Sequence, residues 1–114
     1  MLAIKQLELS EFFGVEPISL DSDSLWPYGH FTYKVSTGDL SLSCSIDPAD
    51  QDIEIVVTKN LASYYHMNAD NILDLRLLKD NDKSTLEVTL DTRSRVLFKL
   101  KPRISIVHLA PRNV

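Results

Sequence analysis

Few of the 114 side chains are of a type that does chemistry, and their spacing decides what each can do. The single thiol is Cys44, within Leu40-Ser41-Leu42-Ser43-Cys44-Ser45-Ile46. A nucleophilic cysteine needs a neighbouring base or a helix start to ionise it. Cys44 instead shares the parity of Leu40, Leu42 and Ile46, the apolar face of a strand, where burial keeps a thiol neutral and inert. His30, His66 and His108 lie 36 and 42 residues apart, whereas zinc sites draw Cys and His in close pairs. His66 and Asp70 share a face only if that segment is helical. Asp80-Asn81-Asp82-Lys83-Ser84 starts like a calcium loop, yet Thr85 stands where glycine is needed and Asp91 where a bidentate Glu belongs. It reads as a charged hairpin turn. Three isolated glycines exclude a glycine-rich phosphate loop. The expectation is a chain with no catalytic residues, no metal site and no cofactor.

The elements that carry these residues are mostly strands. Residues 3–13 read as a helix, because Gly14 follows Phe12-Phe13 where a left-handed cap is wanted and Pro17 then stops the chain. A strand over 3–9 with one turn at 10–13 is the alternative. Residues 15–27 have loop chemistry, with two prolines among Asp and Ser. From residue 30 onward the apolar period is two. Phe31, Tyr33 and Val35 alternate up to the turn Thr37-Gly38-Asp39. Leu40, Leu42, Cys44 and Ile46 follow against three serines, then the turn Asp47-Pro48-Ala49-Asp50. Ile53, Ile55 and Val57 form a third run, and residues 60–70 are ambiguous. Leu73, Leu75 and Leu77, then Leu86, Val88 and Leu90, then Val96, Phe98 and Leu100 continue the alternation. Pro102 breaks it before a last run through Ile104, Ile106 and His108. With no crossover helices, this spacing predicts a mainly β (α+β) fold: a single domain over 1–114, an antiparallel meander of about six or seven strands. The sheet is expected to be strongly curved or a partly open barrel, capped by the N-terminal helix. A two-sheet β-sandwich is the alternative.

Charge and aromatics indicate surfaces. All 16 acids lie in residues 1–91 with six bases, a balance of −10. The remaining 23 residues hold Arg93, Arg95, Lys99, Lys101, Arg103 and Arg112 and no acid. Arg95, Lys99, Lys101 and Arg103 form a candidate basic stripe. No exposed aromatic accompanies it, and the strand before it carries Glu87 and Asp91, so pairing of neighbours worth about 0.2–1 kcal/mol each is expected rather than nucleic-acid binding. Trp26, Tyr28 and His30, in a Pro/Gly loop, and Tyr64, Tyr65 and His66 are the candidate binding surface; for both groups closing the end of a core is the competing role. No apolar run is long enough to span a membrane, the first dozen residues do not resemble a signal peptide, and one cysteine fits a reducing compartment, so a cytoplasmic location is expected.

These features point to a non-enzymatic protein-interaction module that meets a basic partner, either an immunity protein or an accessory subunit, by size and charge. The alternative is a small-molecule binder inside the curved sheet, with Tyr33, Tyr64, Tyr65 and Trp26 at its mouth. Val56, Leu78, Leu97, Val107 and Leu109 have outward parity and need cover, which a homo-oligomer would supply.

Overall fold

The computed structural model describes residues 2–19, 26, 28–80, 83–101 and 103–111. Asn81 and Asp82 of the charged turn, Pro102, and part of the 15–27 loop lie outside them. The expected helix is present as α1 (Gln6–Phe13), three residues shorter at its start than 3–13, because Lys5 is extended and caps it. Gly14 ends it in the left-handed conformation (φ 71°), its N–H reaching the Ser10 carbonyl at 2.8 Å. At the start, Glu8 Oε1 accepts the Lys5 N–H at 3.1 Å, satisfying a donor that the first turn leaves open.

Two antiparallel meanders follow. The first sheet runs β1 (Ile18–Ser19), β2 (Phe31–Thr37), β3 (Leu40–Asp47), β4 (Asp52–Lys59) and β5 (Ala62–Ala69) in spatial order. The second runs β6 (Asp74–Asp80), β7 (Lys83–Thr89), β8 (Arg95–Lys99) and β9 (Ser105–Leu109). The mainly β antiparallel meander with one N-terminal helix is therefore present, divided into two sheets as in the alternative arrangement rather than curled as one. The division occurs after β5. Asn71 turns at φ 55°, the fully buried Ile72 donates to the Gln51 carbonyl at 2.9 Å, and Leu73 donates to Thr89 at 2.8 Å. The backbone thus leaves one ladder and joins another. The strands beyond the expected count are β1 and β5.

One hydrophobic cluster takes side chains from both sheets and α1. In β3, Leu42, Cys44 and Ile46 are buried, while Ser41 is exposed and Ser43 and Ser45 are half-buried. The expected parity therefore holds. Hydroxyls pair across the outer face, Thr32 with Ser45 at 2.9 Å and Ser36 with Ser41 at 3.2 Å. Helix α1 lies against β2, β6 and β7, and its Phe13 stacks on Tyr33 with centroids 4.9 Å apart. The Tyr33 hydroxyl is buried near Ser10 with no hydrogen bond of standard geometry, and burial pushes its pKa up to about 12.

One expectation is corrected. Glu87, read as an outward partner in exposed pairs, is only 2% exposed. It does pair with its neighbours: Arg76 Nη2 donates to Oε1 at 2.7 Å and Arg95 Nη1 to Oε2 at 3.4 Å. Arg76 stands directly opposite it on β6, and the two long side chains cover its carboxylate.

Candidate functional site

β5 is the outer strand of the first sheet, so one backbone edge lies outside the ladder. Its register with β4 pairs Ile53 with Ala69, Ile55 with Met67 and Val57 with Tyr65. The next pair is Thr58 with Ser63, which leaves Tyr64 as an extra residue. Such a bulge re-aims a side chain. Strict alternation would put Tyr64 and Tyr65 on opposite faces; here both line one groove of about 380 Å³ with Leu40, Val57, Ile104, Ile106 and His108. Tyr65 is half-buried, its ring edge-on to Phe98, and its hydroxyl is 2.9 Å from His108 Nε2. Burial raises the Tyr65 pKa. Tyr64 stands 67% exposed at the rim.

The hairpin tip beside this groove is strained. Lys59 pairs with Ala62, leaving a two-residue turn in which Asn60 (φ 52°) and Leu61 (φ 69°) both take positive φ. This is the type I′ geometry, which matches strand twist and favours Asn-Gly. Leucine in the second place costs roughly 1–2 kcal/mol in backbone conformation. Its side chain is 99% exposed and so recovers nothing from packing.

The opposite end of the sheet is acidic. His30 Nδ1 lies 3.0 Å from Asp47 Oδ1, and His66 Nε2 lies 3.0 Å from Glu54 Oε2. Asp47 faces Asp52 across the ladder, an unfavourable juxtaposition, with Asp50 in the connecting turn and Asp70 just after β5. An eight-residue strand spans about 26 Å, so β5 connects an apolar tip to an acidic end.

The remaining candidates divide between structure and surface. Trp26 donates Nε1–H to the Ile4 carbonyl at 3.2 Å and packs on Phe31 with centroids 4.9 Å apart, a plug. Tyr28 is exposed. The Trp26–His30 group and the Tyr64–Tyr65 pair do not converge, because His30 sits at the acidic end and the tyrosines beside the tip. In the basic stripe, Arg95 is engaged by Glu87, while Lys99, Lys101 and Arg103 are exposed. Cys44 is fully buried and its thiol pKa is pushed up by desolvation. Among the described residues no three His, Cys, Asp or Glu side chains are grouped to hold a metal ion, and no helix is long and apolar enough to cross a membrane. Sequence reading missed Leu61. The available signal was Asn60-Leu61 between two period-two runs, the length of a primed turn with an asparagine in first place.

No protein-family model and no curated protein matches the chain. Among solved structures the fold is similar to a chain of the contact-dependent growth inhibition toxin–immunity protein complex from Klebsiella pneumoniae 342. The TM-score is 0.78 and the identity 21%, over 92% of this chain and 92% of that one. At that identity the likeness is one of fold.

Proposed function

We propose that this chain is an immunity-type protein, a non-enzymatic module that binds and blocks a protein toxin inside the cell. The observation that carries this reading is the fold match over 92% of both chains to a member of a toxin–immunity complex. The immunity role is chosen over the toxin role because the one thiol is sealed in the core and the acidic end of the first sheet, where Asp47 faces Asp52, suits a basic partner. The histidines, paired with Asp47, Glu54 and Tyr65, do not decide it, since an oriented imidazole serves either role. The partner is proposed to be basic, steered by Asp47, Asp50, Asp52 and Asp70; such steering acts mainly on the association rate and weakens with salt.

The test is titration calorimetry of the purified chain against the polypeptide encoded by the neighbouring gene, at low and moderate salt, with growth of cells producing both as a second readout. Absence of binding at either salt, together with failure to protect growth, refutes the proposal. For the small-molecule alternative, the mouth is closed where Tyr33 is buried and Trp26 is packed, so that reading retreats to the open groove beside Tyr64 and Tyr65. Self-association is favoured by Leu78 and Val107, which stand 40% and 44% exposed on the outer face of the second sheet. Sedimentation of the purified chain tests it.

A further inference from the structure

Two separate backbone irregularities, at residues 60–61 and at 64, leave Leu61 exposed on the hairpin tip and Tyr64 exposed at the rim of one groove. Leu61 occupies a positive-φ position where glycine would satisfy the turn without strain, and it is 99% exposed. Tyr64 is the extra residue of a bulge and is 67% exposed. Neither arrangement is explained by the core, since neither side chain is buried there. Strain of this kind persists where a function uses it. Tyrosine also grips a partner with little torsional freedom to lose.

The groove behind them has a floor of Leu40, Val57, Ile104 and Ile106 and one polar wall, the Tyr65–His108 pair. Its margin is cationic. Lys59 stands opposite Leu40 and Ala62 in the two ladders, and Arg103 immediately precedes Ile104. Both are exposed and neither forms an ion pair with another described residue. Asp39, next to Leu40 in the chain, is exposed at the same end, and its backbone carbonyl accepts the Asn60 N–H.

We infer that the β4–β5 hairpin tip and this groove form the anchor for the protein partner, which presents there an apolar or aromatic side chain flanked by carboxylates. The inference rests on the immunity reading and adds the surface used. The partner lies along the β5 edge, with its anchor side chain in the groove and its basic surface toward Asp47, Asp52 and Asp70. Desolvated aromatic anchors of this sort dominate binding, while charged rims contribute less.

The experiment compares the wild-type chain with Leu61→Gly, Tyr64→Ala, Lys59→Glu and Asp50→Asn for affinity to the neighbouring-gene polypeptide. Circular dichroism checks the fold of each, and thermal unfolding its stability. Tyr64→Ala is expected to weaken binding by about thirtyfold or more. Leu61→Gly is expected to weaken it about fivefold while raising the unfolding midpoint by about 2–4 °C, the relieved strain being partly offset by the greater freedom glycine gives the unfolded chain. Lys59→Glu weakens binding by repulsion, and Asp50→Asn changes mainly its salt dependence. If the wild type binds and folded Leu61→Gly and Tyr64→Ala bind within about twofold of it, the anchor is elsewhere and the immunity reading stands. If the wild type does not bind, both fall. If sedimentation shows a dimer that these two substitutions dissociate, the tip is covered by a second copy and the inference is overturned.

Discussion

Glu87 offers the sharpest test of the physical account, because sequence and structure assign it different energies. As a member of exposed pairs it would contribute about 0.2–1 kcal/mol. In the structure its carboxylate is 3% exposed and accepts Arg76 Nε at 3.2 Å, Arg76 Nη2 at 2.7 Å and Arg95 Nη1 at 3.4 Å. Removing one member of a buried pair costs about 3–5 kcal/mol, since the other charge is left without compensation. Here the guanidiniums keep partial access to water, Arg76 at 58% and Arg95 at 24%. Partial re-solvation lowers the expected loss for Glu87→Ala to about 2–3 kcal/mol. Glu87→Gln keeps the volume and one acceptor oxygen and should lose about 1–2 kcal/mol. For a chain of this length Glu87→Ala then lowers the midpoint by roughly 8–12 °C. Urea unfolding followed by the fluorescence of the single Trp26 measures the difference. A sheltered pair is also poorly screened, so the loss should persist in about 0.5 M salt. If Glu87→Ala lies within about 0.5 kcal/mol of wild type, the carboxylate is solvated and the account is wrong.

Three further predictions follow from the core and the cap. Burial raises the Cys44 thiol pKa above its ordinary 9.0. The stability linked to that shift is complete below pH 9.0 and is lost as pH rises above it, by at most about 1.4 kcal/mol per pH unit. Cys44→Ala should lack this component in urea titrations on either side of that pH, and a thiol reagent should leave the folded wild type unmodified; rapid native modification would contradict the burial. Tyr33→Phe deletes a buried hydroxyl that lacks a good partner while keeping the stack on Phe13, so thermal unfolding should show no loss or a gain of up to about 1 kcal/mol. A larger loss would reveal a hidden hydrogen bond. Gly14→Ala meets no atom within 4 Å, so its expected loss of about 1–2 kcal/mol is due to the left-handed backbone alone, and an unchanged midpoint would show that the helix ends differently.

What was legible in the chain was local. Alternation at period two assigned Leu42, Cys44 and Ile46 inward and the serines outward, because strand geometry leaves no other choice once one face is dry. Gly14 marked the helix end for the same kind of reason, a backbone conformation few residues accept. β5 was ambiguous because an edge strand is half solvated. Its inward residues Tyr65, Met67 and Ala69 are only half-buried, and the bulge at Tyr64 interrupts the alternation on which reading depends.

Alternation also cannot say which outward residues become covered. Glu87 and Thr89 share a strand and a face, yet Glu87 is buried, because Arg76 and Arg95 arrive from neighbouring strands. By itself the sequence determined an antiparallel β chain with a dry thiol, a capped N-terminal helix and an acidic first part. Only the tertiary structure decided that the meander divides in two after β5, that a carboxylate sits beneath two arginines, and that Tyr64 and Tyr65 line one groove. Those facts depend on register and on contacts between residues far apart in the chain, and pairwise geometry of that kind is set by how the sheets pack, not by any local run of side chains.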